Sequence, residues 1–161
     1  MVSLLSTQGP RRAGNSPDCL CDPQGRRRSI ERVTQRVLVV DDEPDLRRLL
    51  RWLLELDERC SGIAEANDSE SALREAAKLV PHAVILDFML GDTTADEMLP
   101  ALRAACPEAR IVVYTAAPER AEAADVIQRG ADAVAAKAGG SIDDIIELAL
   151  LRQEREQPKP D

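Results

Sequence analysis

Nothing in the 161-residue chain is apolar for long enough to span a bilayer; no run approaches the roughly 18 residues that a crossing helix needs. The opening stretch, MVSLLSTQGPRRAGNSPDCLCDPQGRRRS, also lacks the form of a secretory signal. Its apolar patch is a few residues long, and the arginines follow it instead of preceding it. The expected location is therefore the cytoplasm. Metal-binding sulfur and imidazole are scarce, with four Cys and one His. A structural zinc site needs four ligands, and Cys19 and Cys21 form a lone C-x-C far from His82. Cys60 and Cys106 read as small packing residues in a reducing compartment. Basic side chains are sparse where nucleic-acid contact would need them. Residues 37–161 carry 14 Lys plus Arg against 26 acids, a net charge of −12, so no direct DNA binding is expected. A body this acidic suits cations. Residues 1–36 invert the balance, with seven Arg against three acids. That basic leader either meets an acidic partner or nucleic acid, or is a loose tail.

Residues 1–35 are rich in Gly, Pro, Ser and Arg without an apolar period, and read as a disordered leader. Residues 153–161, QEREQPKPD, read as a polar tail. Between them, residues 36–152 alternate strand and helix. Val37–Val40 is a continuous apolar run, as expected for a strand covered on both faces. Pro44 suits the first turn of a helix, with Asp42 or Glu43 as its cap. Leu46, Leu49, Leu50, Leu53 and Leu54 follow at helical spacing. Cys60–Ala66 is a weaker strand. Ala72, Leu73, Ala76, Ala77 and Val80 form a second helical stripe ended by Pro81. Ala83–Leu86 is a strong strand. Thr94-x-x-Glu97 reads as a capping box ahead of Met98, Leu99 and Leu102. Ile111–Tyr114 is a strand, Pro118 opens a helix that Gly130 closes, and Ala133–Ala136 is a weak strand. Ser141-x-x-Asp144 caps a last helix with Ile142, Ile145, Ile146, Ala149 and Leu150 on one face. Five strands alternating with five helices argue for an α/β, doubly wound parallel sheet. In such sheets ligands sit beyond the carboxyl ends of the strands, at the switch in strand order.

The residues just past each strand then form one set. Asp41, Asp42 and Glu43 follow the first strand, Asp87 the third, Thr115 the fourth and Lys137 the fifth. Like charges this close repel and raise one another's pKa unless something positive sits among them. Carboxylates at that density suit a hard divalent cation, and Mg²⁺ is commonly held by one or two of them together with water and phosphate oxygens. The rest of the set suits phosphoryl chemistry. Asp87 can act as the nucleophile, Thr115 can donate to a phosphoryl oxygen and Lys137 can pair with another. Each residue alone has a plainer reading as a helix cap, a turn or a solvated charge. Their joint placement at successive strand ends argues for the chemical one.

The stretches VLVVDDEPDLRRLL, AVILDFML, IVVYTA and GADAVAAK resemble the response-regulator receiver domain of bacterial two-component signalling, over residues 36 to 152. The resemblance implies a flavodoxin-like sheet of five strands with five helices. It implies Asp87 as phosphoacceptor, with Asp42 binding Mg²⁺ directly and Asp41 acting mainly through water. It further implies a metal contact from the Met89 backbone carbonyl, Thr115 as switch hydroxyl and Lys137 as partner of the phosphoryl group. Implied partners are a sensor histidine kinase and either a target protein or a histidine phosphotransferase. The domain would not be an enzyme, but would assist its own phosphorylation and dephosphorylation.

Several positions depart from the pattern. Lys137 is followed by Ala138, Gly139 and Gly140 instead of Pro, so the expected loop is trans and looser, because a non-proline cis bond costs about 3 kcal/mol. Val134 replaces an aromatic switch residue. The loop FMLGDTTADE lacks the usual Pro and has Ala95 where Gly is common; its Asp92 and Asp96 are either solvated or capping. Met89 and Ala117, two positions beyond Asp87 and Thr115, cannot orient a hydrolytic water by hydrogen bonding, so a long-lived phosphorylated form is expected. With only a short tail after the last helix, output through a protein contact is expected. The Ala-rich stretches AEAADV and AVAAKAGG are either a docking face or plain packing. The alternative function is a phosphorylation-independent interaction module on the same fold, supported by Val134 and Ala138. A dehalogenase-type phosphatase would want D-x-D after the first strand, and a nucleotide or flavin binder a Gly-rich loop there; the chain has DDEP.

Overall fold

The computed structural model describes residues 34–91, 93–116, 123–137 and 141–151. Among the described residues, seven strands and five helices follow one another. Strand β1 (Gln35–Val40) leads to helix α1 (Pro44–Leu56), then β2 (Cys60–Ala66), α2 (Ser69–Leu79) and β3 (Ala83–Asp87). Two short strands, β4 (Met89–Leu90) and β5 (Thr93–Thr94), precede α3 (Ala95–Ala105). After them come β6 (Arg110–Thr115), α4 (Ala123–Gln128), β7 (Ala133–Ala136) and α5 (Ile142–Leu150). Five strands make one parallel sheet in the order β2-β1-β3-β6-β7. The chain winds outward from β1 to β2, then returns to place β3 on the other side of β1. The switch in order therefore lies between β1 and β3, whose carboxyl ends bear the acids.

Side-chain alternation along the strands divides the core in two. Leu38, Val40, Val84, Leu86, Ile111 and Val113 pack on one face with Ala72 and Ala76 of α2 and Met98, Leu99 and Leu102 of α3. Val37, Val39, Ala83, Ile85, Val112 and Tyr114 pack on the other face with Leu50 and Leu54 of α1 and Ile145, Ile146 and Ala149 of α5. The interior strands β1, β3 and β6 are covered on both faces, which is why their sequences are continuous apolar runs.

Some local expectations need correction. Thr94 stands at the N-cap of α3, but its side chain makes no cap bond. Glu97 is engaged by the Thr93 hydroxyl at 2.9 Å instead, so the capping box does not form. Glu43 is the N-cap of α1, also without a side-chain bond, while Asp41 Oδ1 accepts the Glu43 N–H at 2.6 Å. Helix α2 is opened by a reciprocal pair, Asp68 with Ser71, that the sequence reading passed over. Its stripe is shorter than expected: Ala77 and Val80 are exposed, and Val80 leaves the helix in the left-handed region. The Ser141–Asp144 box forms as expected. Pro100 lies inside α3 and has no N–H for the Asp96 carbonyl. Arg129 supplies a donor there at 3.3 Å, and its guanidinium lies 3.8 Å from the Asp96 carboxylate, so Asp96 is ion-paired as well as near a helix start.

Cys106 is buried and Cys60 half-buried, both free thiols in packing positions. Among the described residues no helix is long and apolar enough to cross a membrane. The strand begins at Gln35, one residue inside the expected leader. Residues 1–33 of that leader with Cys19 and Cys21, the tail 153–161, and the readings on Asp92, Ala117, Pro118 and Ala138 to Gly140 lie outside the described residues.

Leu54 is fully buried between α1 and the sheet. Leu54→Ala should lower stability by about 2–5 kcal/mol, through lost transfer energy and a residual cavity. Urea denaturation should show a lower midpoint with an unchanged slope.

Candidate functional site

The alternation that builds the core also sorts the polar residues at the strand ends. In β1 the series Val37, Val39 continues to Asp41, and in β3 Ala83, Ile85 continues to Asp87. In β6 Val112 continues to Tyr114, and in β7 Ala133, Ala135 continues to Lys137. Asp41, Asp87, Tyr114 and Lys137 thus share the face that α1 and α5 cover. Thr115 belongs to the opposite alternation, after Ile111 and Val113, as does Asp42 after Leu38 and Val40.

Asp41, Asp87 and Thr115 are buried, and Asp42 is exposed. Carboxylate oxygens of Asp41, Asp42 and Asp87 all lie within 4.8 Å of one another. Lys137 Nζ stands 2.8 Å from Asp87 Oδ2 and 3.4 Å from Asp41 Oδ2. Its backbone N–H donates to the Thr115 carbonyl at 2.6 Å, which ties the lysine to the end of β6. Met89 N–H points at Asp87 Oδ1 at 3.4 Å. Asp41 is braced on its backbone too, with its N–H on the Ala66 carbonyl and its carbonyl accepting from Arg47.

Two features escaped the sequence reading. The first is the small antiparallel ladder of β4 and β5, which pairs Met89 with Thr94 and Leu90 with Thr93. Gly91 turns between them in the left-handed region, where glycine carries no Cβ penalty. Its N–H donates to Asp42 Oδ2 at 3.1 Å, so the loop after β3 fastens an acid that follows β1. The signal was present: Gly-Asp between two short segments is a hairpin turn pair. The second is Tyr114. Its hydroxyl donates to Asp41 Oδ2, and Lys137 Nζ lies 4.4 Å from its ring centroid. The signal was the β3–β6 register, which sets Tyr114 beside Asp87. Val134, by contrast, is partly buried against the core on the α2–α3 face.

Burial pushes the Asp87 carboxyl above its ordinary range, Lys137 pulls it back, and the neighbouring Asp41 charge adds to the rise. Burial and the bond to Asp41 push the Tyr114 phenol far up, so it remains a donor. Three carboxylates against one ammonium leave the cluster short of positive charge. Hard oxygen donors at this spacing fit a divalent cation of the Mg²⁺ class.

This is the arrangement of a doubly wound domain with an acidic, lysine-paired site at its switch point. A model of the response regulator receiver domain matches residues 37–149. The chain belongs to the response regulator receiver domain family. Its relatives include the nitrate/nitrite response regulator protein NarP of Escherichia coli (strain K12), 35% identical over 97 residues, covering 60% of this chain and 45% of NarP. The chain spans less than half the length of the first curated relatives it matches. Among solved structures it resembles a response regulator from Burkholderia pseudomallei with a phosphorylated aspartic acid, calcium ion and citrate. The TM-score is 0.65 at 27% identity, covering 73% of this chain and 66% of that one. The signal receiver domain of a NarL response regulator from Mycobacterium tuberculosis gives 0.65 at 25% identity, covering 73% and 94%.

The raised Asp87 pKa has a definite sign in stability. The native state holds that proton more tightly than the unfolded chain, so stability falls as pH rises from the ordinary carboxyl range through the raised value. In metal-free buffer, Asp87→Asn should be more stable than the parent at neutral pH. The gap should narrow as pH falls through the raised value and the ordinary carboxyl range, because Asp87 then takes up its proton and matches the neutral amide. Urea midpoints across that range measure it.

Proposed function

We propose that the chain is a phosphoacceptor switch in which Asp87 accepts a phosphoryl group from the phosphohistidine of a sensor histidine kinase. The observation that carries this reading is the buried Asp87 carboxylate at the end of a central strand, paired to Lys137 at 2.8 Å, with Asp41 and Asp42 beside it. An Asp87 oxygen forms the new bond to phosphorus, the phosphorus–nitrogen bond breaks, and the released imidazole takes up a proton. Asp41, Asp42, Asp87 and the Met89 carbonyl would hold Mg²⁺. When bound, the ion would offset the charge brought by the phosphoryl oxygens. Lys137 would pair with one of those oxygens, and Thr115, buried at the end of β6, would donate to another.

Thr115 and Lys137 are joined through the backbone bond between them. A phosphoryl group that engages both therefore biases one connected element. It shifts an existing equilibrium of the loops after β6 and β7. The output is a protein contact or onward transfer to a histidine phosphotransferase, and the chain acts without catalytic turnover on a separate substrate. The burial of Thr115 and the pairing of Lys137 favour this over a phosphorylation-independent interaction module, which would need neither. The cytoplasm, where sensor kinases present their phosphohistidine, is the proposed location.

Incubation with Mg²⁺ and acetyl phosphate should add one phosphoryl mass to the intact chain. No adduct should form with Asp87→Ala or with EDTA. Failure of the folded parent chain to label, both with acetyl phosphate and with cognate kinase, would leave the interaction module as the reading. Met89, which offers no hydrogen bond to a water from its side chain, predicts slow hydrolysis. After donor removal the adduct should persist for many minutes; loss within a minute contradicts that expectation.

Mg²⁺ should also raise the melting temperature, by mass action on the native state. Asp42→Asn should remove most of the rise. Differential scanning calorimetry with and without the ion reads the effect.

A further inference from the structure

We propose that Tyr114 is a positioning residue of this site, its hydroxyl orienting the Asp41 carboxylate and its ring seating the Lys137 ammonium toward Asp87. The proposal rests on the phosphoacceptor reading and deepens it. Tyr114 is fully buried, and both of its ends touch the charged cluster.

The hydrogen-bond count around Asp41 gives the hydroxyl its role. A carboxylate presents about four lone-pair sites. Asp41 Oδ1 accepts the Glu43 N–H at 2.6 Å, and Oδ2 accepts both the Tyr114 hydroxyl and Lys137 Nζ. Three of the four sites are thus assigned, and the carboxylate is held in one rotation with an Oδ1 site left for a cation or its water. Groups that orient a metal-binding carboxylate in this way typically change metal affinity 10–100-fold when removed, by order of magnitude. The hydroxyl also bears on Lys137. Without it, Lys137 is the one side-chain donor left on Asp41 Oδ2 among the described residues. The ammonium is then drawn toward Asp41 and away from Asp87, its shorter partner.

The ring acts on the other end of the same pair. An ammonium within about 6 Å of an aromatic centroid is attracted to the ring face, and Lys137 Nζ is at 4.4 Å. Beside the ring and the lysine lies a cavity of about 230 Å³, lined also by Leu46, Leu50, Ile142 and Ile145. Removing the ring would take one wall from that cavity and the ring face from the ammonium. The Lys137 backbone is tied to Thr115, and its ammonium is held by two carboxylates and by the face of the Tyr114 ring.

Two variants separate hydroxyl from ring. Tyr114→Phe keeps shape and ring; Tyr114→Leu removes both. Mn²⁺ affinity of each folded chain, read by electron paramagnetic resonance, reports on Asp41. The NMR shift of the Lys137 ε-methylene reports on the ring, and the rate of labelling by acetyl phosphate at saturating Mg²⁺ reports on the assembled site. Tyr114→Phe should weaken Mn²⁺ binding about 10-fold or more and slow labelling, while the ε-methylene stays shielded. Tyr114→Leu should lose that shielding as well. A folded Tyr114→Phe chain with parental Mn²⁺ affinity and parental labelling rate would overturn the proposal, as would an unshielded ε-methylene in the parent chain. If the parent chain takes no phosphoryl group, the phosphoacceptor reading fails. Mn²⁺ affinity and the ε-methylene shift then still decide the role of Tyr114.

Discussion

Lys137 stands against two buried carboxylates, and the carboxyl end of the sheet depends on that pairing. Ionised carboxylates taken out of water are expensive unless paired and hydrogen-bonded. Here one ammonium, one phenol and two backbone N–H groups provide the partners. Asp41 takes Glu43, Tyr114 and Lys137, while Asp87 takes Lys137 and Met89. The donors come from α1's entry, the loop after β3, β6 and the end of β7. No single segment builds the site, so the sheet must close before the acids are tolerable.

That dependence runs in both directions. The apolar strands β1, β3 and β6 bury their ends deeply enough to strip water from Asp87, which raises its pKa and leaves it poised beside a cation. The same strands fix which side chains meet, because alternation in a parallel sheet assigns Asp41, Asp87, Tyr114 and Lys137 to one face and Thr115 to the other. A phosphoryl group on Asp87 would therefore reach across both alternations. It would meet Lys137 on the α1–α5 side and Thr115 on the α2–α3 side. On the proposed reading, a charge event at Asp87 would bear on two packed layers at once, as a switch requires.

Much of this was legible in the sequence. Continuous apolar runs marked the central strands, and the residue after each run gave every charged member of the cluster, because strand ends in a parallel sheet converge. The helices came from their leucine and alanine spacing. Capping was less legible, and for a physical reason. Thr94-x-x-Glu97 has the letters of a capping box, yet the neighbouring Thr93 hydroxyl competes for Glu97 and wins. Asp68 and Ser71 form the reciprocal pair without the usual Glu at the third position. Tyr114 was read as strand material because its hydrophobic body fits a buried strand. Its second role appears only once the register places it beside Asp87 and within reach of Asp41. The β4–β5 ladder is two residues a side, too short for a periodic pattern.

A crystal structure of the chain grown with Mg²⁺ and beryllium fluoride tests the central claim most directly, since the fluoride complex occupies the position of a phosphoryl group on a carboxylate. The account predicts beryllium bonded to an Asp87 oxygen. It predicts the metal among Asp41, Asp42, Asp87 and the Met89 carbonyl, with Lys137 and Thr115 on the fluorines and Tyr114 still bonded to Asp41. A saturated crystal with Asp87 unmodified and Lys137 still 2.8 Å from its Oδ2 would contradict it.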